Sequence, residues 1–320
     1  MKIALCGNTF PRAKGVLATL LPDAELTTVE ASRLEEELRT ADVVIPMMAR
    51  IDARIVAGTS ARLIQQWGAG LEGVDVDAAS ARGIYVANVP SDVTPNAEST
   101  AEHALFLMLG AARRLRTCTR MFEEGTWGAP LGDALFGRRA LIVGFGRVGK
   151  ALARRLVAMG MTVDAVRRAP EPGEAERHGL DRLGTPAALM HLAAEADFVV
   201  STATATEESR GVLNRTIFRA MKPTAIVVNV SRGTVIDEGD LLAALRDGTL
   251  GGAGLDVFAQ EPVGADHPLL AMEQVVATPH VGGVTRQSYE GIARVIVENV
   301  RAVTEGRAPS YCVNLHAVPR

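Results

Sequence analysis

The glycines that follow residue 143 constrain the fold of this chain more than any other feature of its sequence. An apolar run at residues 141–143 leads into a G-x-G-x-x-G motif made by Gly144, Gly146 and Gly149. This spacing is typical of a strand, a tight turn and a helix start, with the second glycine leaving the backbone open to a pyrophosphate. N–H groups of the first helical turn, including Arg147 and Val148, would face that anion. The motif favours dinucleotide binding over its alternative, an ordinary glycine-rich turn.

Short apolar runs alternate with amphipathic stretches along the rest of the chain. We predict strands at Ile3–Leu5, Val43–Met47, Leu63–Gln66, Ile84–Ala87, Ala140–Val143, Thr162–Val166, Phe198–Ser201, Ala225–Asn229, Gly252–Asp256 and Val275–Ala277. We predict helices at Ala31–Leu38, Asn96–Arg113, Ala151–Met159 and Arg286–Thr304, another that begins at Thr185-Pro186, and an irregular stretch at Glu124–Arg138. Strands that alternate with helices indicate an α/β protein with parallel sheets covered on both faces.

Length and composition exclude several classes of protein. The 320 residues are enough for about two domains. The formal net charge of −3 gives no reason to expect binding to nucleic acid or to an anionic membrane. The three cysteines lie far apart in sequence, which suits a reducing compartment. No apolar run reaches the roughly 20 residues of a membrane span. We therefore expect a cytoplasmic protein, and we predict no metal site.

The end of the second strand after the glycine motif bears on the choice of dinucleotide. Arg167 and Arg168 follow Val166 there, and two guanidinium groups suit the 2′-phosphate of NADP. Asp164 competes for this position, because it lies 20 residues after Gly144, near the usual offset of an acid that binds ribose. It falls inside the predicted strand, however. NADP is favoured, and NAD stays possible.

Three polar residues of the last third follow predicted strands, namely Arg232, Glu261 and His280. Ligands of open α/β sheets bind outside the carboxyl ends of the strands. Reduction of a 2-oxo acid needs a cation for the carboxylate and a proton donor for the keto oxygen. Arg232 can pair with the carboxylate through two hydrogen bonds, and His280 can donate the proton. Glu261 would orient the imidazole and favour its protonated form. Each residue alone has a plain alternative as a surface or loop side chain.

At these residues the chain resembles the D-2-hydroxyacid dehydrogenase family, which includes glyoxylate/hydroxypyruvate reductases and D-lactate, phosphoglycerate and formate dehydrogenases. The resemblance runs from about residue 60 to the C-terminus. Its pieces are the glycine motif, Gly68-Ala69-Gly70 with Val74-Asp75, Asn96 with Ala101-Glu102, Glu208-Ser209-Arg210-Gly211, Val230-Ser231-Arg232-Gly233, Gly254-Leu255-Asp256-Val257-Phe258, Glu261-Pro262 and Thr278-Pro279-His280.

The resemblance implies roles for further residues. The backbone N–H groups of Ala69 and Gly70 would hold the substrate carboxylate, and Asn96 would stand near the reacting centre. Thr100 would lie near the cofactor, and Asp256 would bond the nicotinamide carboxamide. A plain turn, a helix cap and a strand-end cap are the alternatives for Gly68–Gly70, Asn96 and Asp256. The chain departs from the family at Arg167, where many members have Asp, and at Thr202, where many have His.

The fold expected from these observations is two Rossmann-like, doubly wound parallel-sheet α/β domains with the active site in the cleft between them. Residues 1–95 with 286–320 would form the substrate domain, and residues 96–285 the cofactor domain. By resemblance, a homodimer would form through the cofactor domains, at the Asn96–Arg113 helix and Trp127, unless Trp127 is a local core residue. Met47, Met48 and Leu71 would border the pocket, and Arg50 would meet any second anionic group.

The activity implied is an NAD(P)-dependent 2-oxo acid reductase of the glyoxylate/hydroxypyruvate type, acting on a small molecule. The rival hypothesis is a dinucleotide-sensing, corepressor-like regulator of the same fold.

Overall fold

The structure is a computed structural model that describes residues 1–318. The chain divides into two compact units. The first comprises Met1–Asn96 and the segment that begins at Val284, and the second comprises Ala97–Gly283. Each unit contains one parallel sheet with helices packed on both faces, so the predicted doubly wound α/β class is confirmed. Within residues 1–318, no helix combines the length and the apolar character needed to cross a membrane.

The strands follow one another as β1 (Lys2–Cys6), β2 (Glu25–Val29), β3 (Val43–Ile45), β4 (Leu63–Gln65), β5 (Tyr85–Ala87), β6 (Arg139–Val143), β7 (Thr162–Val166), β8 (Arg182–Gly184), β9 (Phe198–Ser201), β10 (Ile226–Asn229), β11 (Gly252–Leu255) and β12 (Val275–Ala277). The α-helices are α1 (Arg12–Leu20), α2 (Leu34–Glu37), α3 (Ala53–Gly58), α4 (Val76–Ala81), α5 (Asn96–Ala112), α6 (Leu115–Glu124), α7 (Arg147–Ala158), α8 (Glu174–Arg177), α9 (Leu189–Glu195), α10 (Arg215–Ala220), α11 (Glu238–Arg246), α12 (Pro268–Ala271) and α13 (Arg286–Thr304). Short 3-10 turns lie at Ala31–Arg33, Leu38–Thr40, Pro186–Ala188, Glu207–Ser209 and Gly233–Val235.

The sheet of the first unit has the strand order β2-β1-β3-β4-β5, which is the flavodoxin-like order. Side chains alternate between its two faces. Ile3 and Leu5 of β1 pack in the cluster that contains α1 and α13, whereas Ala4 packs in the cluster that contains α2, α3 and α4. Because both faces are covered, the central strands consist mostly of apolar residues, which is why short apolar runs predicted them.

The sheet of the second unit has the order β12-β11-β10-β9-β6-β7-β8, which extends the order found in dinucleotide-binding domains. One face packs against α5 and α7, and the other packs against α9, α10 and α11. The strand order reverses between β6 and β9, and such a switch point is where ligands of open α/β sheets bind.

Several sequence predictions need correction. The predicted Ala31–Leu38 helix is a single α-helical turn, α2, flanked by 3-10 turns. The strand predicted to reach Met47 ends at Ile45, because Pro46 follows and Met47 has a φ of 56°. Thr185 precedes a 3-10 turn, and its side chain makes no capping hydrogen bond.

Some elements lie outside the predictions altogether. The strands β2 and β8 are half-exposed edge strands with polar residues, so apolar periodicity does not reveal them. The helix α6 was also not predicted, and the irregular stretch begins after it. The predicted bounds of β7, β9, β12 and α13 are confirmed.

Asp164, in the middle of β7, is fully buried and ties three strands together. Arg139 of β6 donates to its Oδ2 at 2.8 Å, and Arg182 of β8 donates to both of its oxygens, at 3.0 and 2.8 Å. A buried carboxylate that already accepts from two arginines is not available to a ribose. The geometry therefore agrees with the reasons for discounting Asp164 as the ribose-binding acid.

The substitution Asp164→Asn should lower the free energy of unfolding by about 1–3 kcal/mol, because an NH2 donor would replace one of the two buried oxygens that accept from Arg139 and Arg182. Urea denaturation followed by circular dichroism measures the change. Asp181→Asn is the matched control, since Asp181 also accepts from Arg139 at 2.8 Å but has a half-exposed side chain. The control should change the stability by less than about 0.5 kcal/mol. Equal losses in both variants would contradict the role assigned to Asp164.

Candidate active site

The glycine motif forms the turn between β6 and α7, and two of its glycines are required by close packing. A Cβ on Gly144, whose φ is 94°, would lie 2.4 Å from the Cα of Ala203. A Cβ on Gly149 would lie 2.6 Å from the carbonyl oxygen of Gly144. By contrast, among the described residues no atom lies within 4 Å of a Cβ built on Gly146. The backbone beside Gly146 is thus open at the N-terminus of α7, and these residues fit a dinucleotide pyrophosphate.

Thr202 follows β9, directly across the switch point. Its hydroxyl donates to the carbonyl of Gly144 at 2.5 Å. The residue that departs from the family pattern therefore holds the glycine turn in place, a role that the sequence did not indicate.

A buried acid at the start of α8, which the sequence did not reveal, pairs with the residue that follows β7. Glu174 is 1% exposed, forms an ion pair with Arg167, and accepts from Lys150 Nζ at 2.9 Å. Burial acts to raise the pKa of Glu174, but the Lys150 bond, the N–H of Glu171 and the charge of Arg167 lower it to about 2. Arg167 is accordingly neutralised by a fixed partner, whereas Arg168 is exposed.

The three residues proposed for catalysis all follow neighbouring strands of the second unit. Arg232 comes after β10, Glu261 after β11 and His280 after β12. Because the strands are parallel, their carboxyl ends lie at one edge of the sheet, and the three loops leave from that edge.

Glu261 and His280 form a direct pair. The Nδ1 atom of His280 lies 2.7 Å from Oε2 of Glu261. The other carboxylate oxygen accepts the N–H of Phe258 at 2.8 Å, which fixes the plane of the carboxylate. An ionised Glu261 can only accept, so Nδ1 carries the proton, and Nε2 is the nitrogen directed away from the pair.

The loops of Arg232 and Glu261 are joined by backbone packing at Gly233. A Cβ on this glycine would lie 1.8 Å from the carbonyl carbon of Phe258, so no larger residue fits. Buried Asn229 supports the same loop, accepting from the N–H and the hydroxyl of Ser231 at 3.0 and 2.8 Å and donating to the carbonyl of Arg232 at 2.9 Å. This packing sets the position of the half-buried Arg232 backbone relative to the Glu261 loop.

Asp256, predicted to contact the nicotinamide, holds the His280 loop. It follows β11, is 2% exposed, and accepts the N–H groups of Val281 and Gly282 at 2.8 Å each. Thr100 of α5 is adjacent, with its methyl carbon 3.5 Å from a Cβ built on Gly282. His280 itself has a φ of 54°, a left-handed conformation that costs a non-glycine residue about 1–2 kcal/mol. Such strain at a functional side chain persists only where its surroundings enforce it.

The remaining predicted residues belong to the first unit. The carbonyls of Ala69 and Gly70, in the loop after β4, accept from Asn88 and Gln66 at 2.8 and 2.6 Å. Asn96, the first residue of α5, accepts from the hydroxyl of Ser288 at 3.1 Å. Met47 is buried in the core of this unit, whereas Met48 and Arg50 are exposed.

Comparison with known proteins identifies the family whose sequences this chain matches. Residues 105–282 match the family described as D-isomer specific 2-hydroxyacid dehydrogenase, NAD binding domain. The glyoxylate reductase of Korarchaeum cryptofilum is 38% identical over 294 residues, which cover 88% of this chain and 86% of the relative. The D-3-phosphoglycerate dehydrogenase of Mycobacterium bovis is 37% identical over 268 residues, 83% of this chain but 49% of that longer protein.

A solved structure agrees over the whole chain. The NADPH-dependent glyoxylate/hydroxypyruvate reductase of Sinorhizobium meliloti, in complex with NADP and malonate, is 29% identical and has a TM-score of 0.84. The match covers 100% of this chain and 98% of that one. With a family match over more than half of its residues and a relative of this identity over most of both lengths, the chain belongs to the D-isomer specific 2-hydroxyacid dehydrogenase family.

Proposed function

We propose that this NAD(P)-dependent oxidoreductase reduces small 2-oxo acids of the glyoxylate/hydroxypyruvate type to D-2-hydroxy acids. The observation that carries the proposal is the Glu261–His280 pair at 2.7 Å, on the same sheet edge as the Arg232 loop and in the same unit as the glycine motif. The relatives named glyoxylate reductase, from Korarchaeum cryptofilum and Thermococcus onnurineus, support the substrate class.

The chemistry assigns one task to each residue. Arg232 binds the substrate carboxylate with its planar guanidinium. His280 donates the proton from Nε2 to the keto oxygen, while Glu261 stabilises the imidazolium through Nδ1. The bound nicotinamide supplies the hydride. The 2-oxo acid thus gains one hydride at carbon and one proton at oxygen, and becomes a 2-hydroxy acid.

The other predicted contacts remain proposals of the same kind. The roles of Ala69, Gly70 and Asn96 as substrate contacts stay predictions. Thr100 would lie near the cofactor, and Asp256 would bond the nicotinamide carboxamide. Cytoplasmic location also stays a prediction. The relatives reported above are enzymes, so the corepressor-like hypothesis has no support from them.

For the cofactor we propose a preference for NADPH over NADH. Near the end of β7, Lys150 and Arg167 both form ion pairs with one acid, Glu174, and Arg168 follows Arg167 in the chain. Since Arg167 is held by Glu174, the exposed Arg168 is the better donor to a 2′-phosphate. The Sinorhizobium meliloti relative that binds NADP supports this assignment.

We also propose a homodimer formed through the second unit. Large apolar side chains are exposed on α5, α6 and the loop that follows: Phe106, Leu109, Phe122, Trp127, Leu131 and Phe136. Trp127 is 82% exposed and touches Phe122 edge to face, so the alternative of a local core residue is wrong. Exposed apolar patches of this kind are typical of interaction sites.

The first prediction from the proposed function is that the protein turns over 2-oxo acids and that His280 is essential. Steady-state assays over a panel of 2-oxo acids with NADPH should show reduction, and chiral chromatography should show the D product. His280→Ala should lower kcat by about 10²–10⁴-fold with NADPH binding retained, because general acid catalysis is lost. His191→Ala, at an exposed histidine of α9, is the control and should match the wild type. An L product, or near-normal turnover in His280→Ala, would break the assignment.

The second prediction concerns the arginine pair. The wild type should favour NADPH over NADH in kcat/KM by about tenfold or more, since one charge-assisted hydrogen bond is worth about 1.5–3 kcal/mol. Arg168→Ala should remove most of this preference by raising KM for NADPH alone. Arg177→Ala, at an exposed arginine of α8, should leave both cofactors unaffected. Equal efficiency of the wild type with both cofactors would refute the phosphate contact.

The third prediction concerns assembly. Sedimentation equilibrium should give twice the chain mass of 33.8 kDa. Leu131→Glu should yield monomers, because it places a charge on a side chain that is 90% exposed at the proposed interface. Met190→Glu, at an exposed side chain of α9, should leave the mass unchanged. An unaltered mass in Leu131→Glu would exclude this surface as the interface.

A further inference from the structure

His103 of α5 contacts Thr278 and Asp256, which flank the loop of His280, and none of the roles described above includes it. Its Nε2 lies 2.8 Å from Thr278 Oγ1 and 3.2 Å from Asp256 Oδ1. The side chain is 15% exposed, and its ring lies beside Phe106 with centroids 5.6 Å apart. The imidazole is therefore a largely buried member of a three-residue polar cluster, His103–Thr278–Asp256.

The proton positions in this cluster follow from its donors and acceptors. The hydroxyl of Thr278 donates its one proton to Asp256 Oδ1 at 2.6 Å, so the Thr278 oxygen can only accept from His103. The carboxylate of Asp256 is also an acceptor. Both neighbours of His103 Nε2 are thus acceptors, and Nε2 must carry a hydrogen that points between them.

Asp256, which receives these hydrogen bonds, also fixes the backbone at His280 and at the two residues after it. The carbonyl of Asp256 accepts the His280 N–H at 2.8 Å, and its side chain accepts the N–H groups of Val281 and Gly282, also at 2.8 Å. One residue thereby holds the left-handed backbone of His280, on which the direction of the imidazole depends.

This arrangement requires Asp256 to be ionised and correctly oriented. Burial opposes the charge, whereas the hydrogen bonds from His103 and Thr278 and from the Val281 N–H favour it, and the pKa of Asp256 is lowered overall. Oδ1 accepts from Thr278 and Val281 and lies within reach of His103, while Oδ2 accepts from Gly282. Loss of the His103 donor would leave a buried carboxylate with one fewer partner, and such a change costs more than the bond itself contributes.

We propose that His103 is a positioning residue for catalysis. Its Nε2–H keeps Asp256 and Thr278 aligned, and Asp256 in turn holds His280 against Glu261. The inference rests on the proposed role of His280 as proton donor. It adds a residue of α5 to the machinery without giving that residue any contact with the substrate.

The test compares two substitutions of similar size. His103→Leu removes the donor, and His103→Gln keeps an N–H donor near the place of Nε2. We expect kcat of His103→Leu to fall about 10-fold or more, because misplacement of a reacting group by about 1 Å can cost about 10²-fold. KM for the 2-oxo acid should stay within about threefold, since Arg232 is not disturbed. His103→Gln should recover most of kcat.

Hydrogen–deuterium exchange gives a readout that does not depend on activity. Residues 278–283 should exchange faster in His103→Leu than in the wild type, and His103→Gln should restore their protection. Wild-type kcat and unchanged exchange in His103→Leu would overturn the inference, and so would equal losses in the Leu and Gln variants. If the wild-type protein did not reduce any 2-oxo acid, the proposed function would be overturned instead. The hydrogen–deuterium exchange measurement would still decide whether His103 holds the loop.

Two substitutions at Thr278 test the same inference if His103→Leu does not fold. Thr278→Ser keeps the bridging hydroxyl and should keep kcat, whereas Thr278→Val removes it and should lower kcat about as much as His103→Leu. In the double variant with His103→Leu, Thr278→Val should add little, because both act through one hydrogen-bond network. Additive losses would show that His103 and Thr278 act separately.

Discussion

The common register of three parallel strands is the constraint on which the site of this enzyme depends. Asn229, Leu255 and Ala277 are paired across β10, β11 and β12, and each is the last residue of its strand. The loops that follow therefore leave the sheet at one level. A shift of one strand by one residue would turn its side chains to the other face and move its loop by about 3.3 Å. Such a shift would separate the loops of Arg232, Glu261 and His280.

Backbone packing then converts this common level into a fixed geometry. Gly233 lets the Arg232 loop contact the backbone at Phe258, and the carboxylate of Asp256 accepts hydrogen bonds from the two N–H groups that follow His280. These contacts are made by backbone atoms and by one buried carboxylate. The loops that carry the reacting side chains are therefore held without contacts from long, flexible side chains. The strained backbone of His280 is held by the same hydrogen bonds.

The sequence predicts functional residues that belong to local motifs. It does not predict those whose role depends on contacts between residues far apart in the chain. The glycine spacing and the polar residues after apolar runs identify the turn of Gly144 and the pair of Glu261 and His280. Glu174 lies in a polar segment that resembles a surface loop, and only the fold turns it inward beneath Arg167. His103 is a single histidine in an apolar helix, and its partner Thr278 is 175 residues away. Edge strands such as β2 lack the apolar pattern on which prediction relies.

The charge of Glu174, the buried acid at the start of α8, makes two sequence positions depend on each other. Glu174 is stable as an anion because Arg167 and Lys150 flank it. An acid in place of Arg167 would put two carboxylates side by side with one lysine between them, and one of the two would have to take up a proton. Positions 167 and 174 are thus expected to vary together among related sequences. A redesign of cofactor choice that changes the arginine alone would leave the second carboxylate uncompensated.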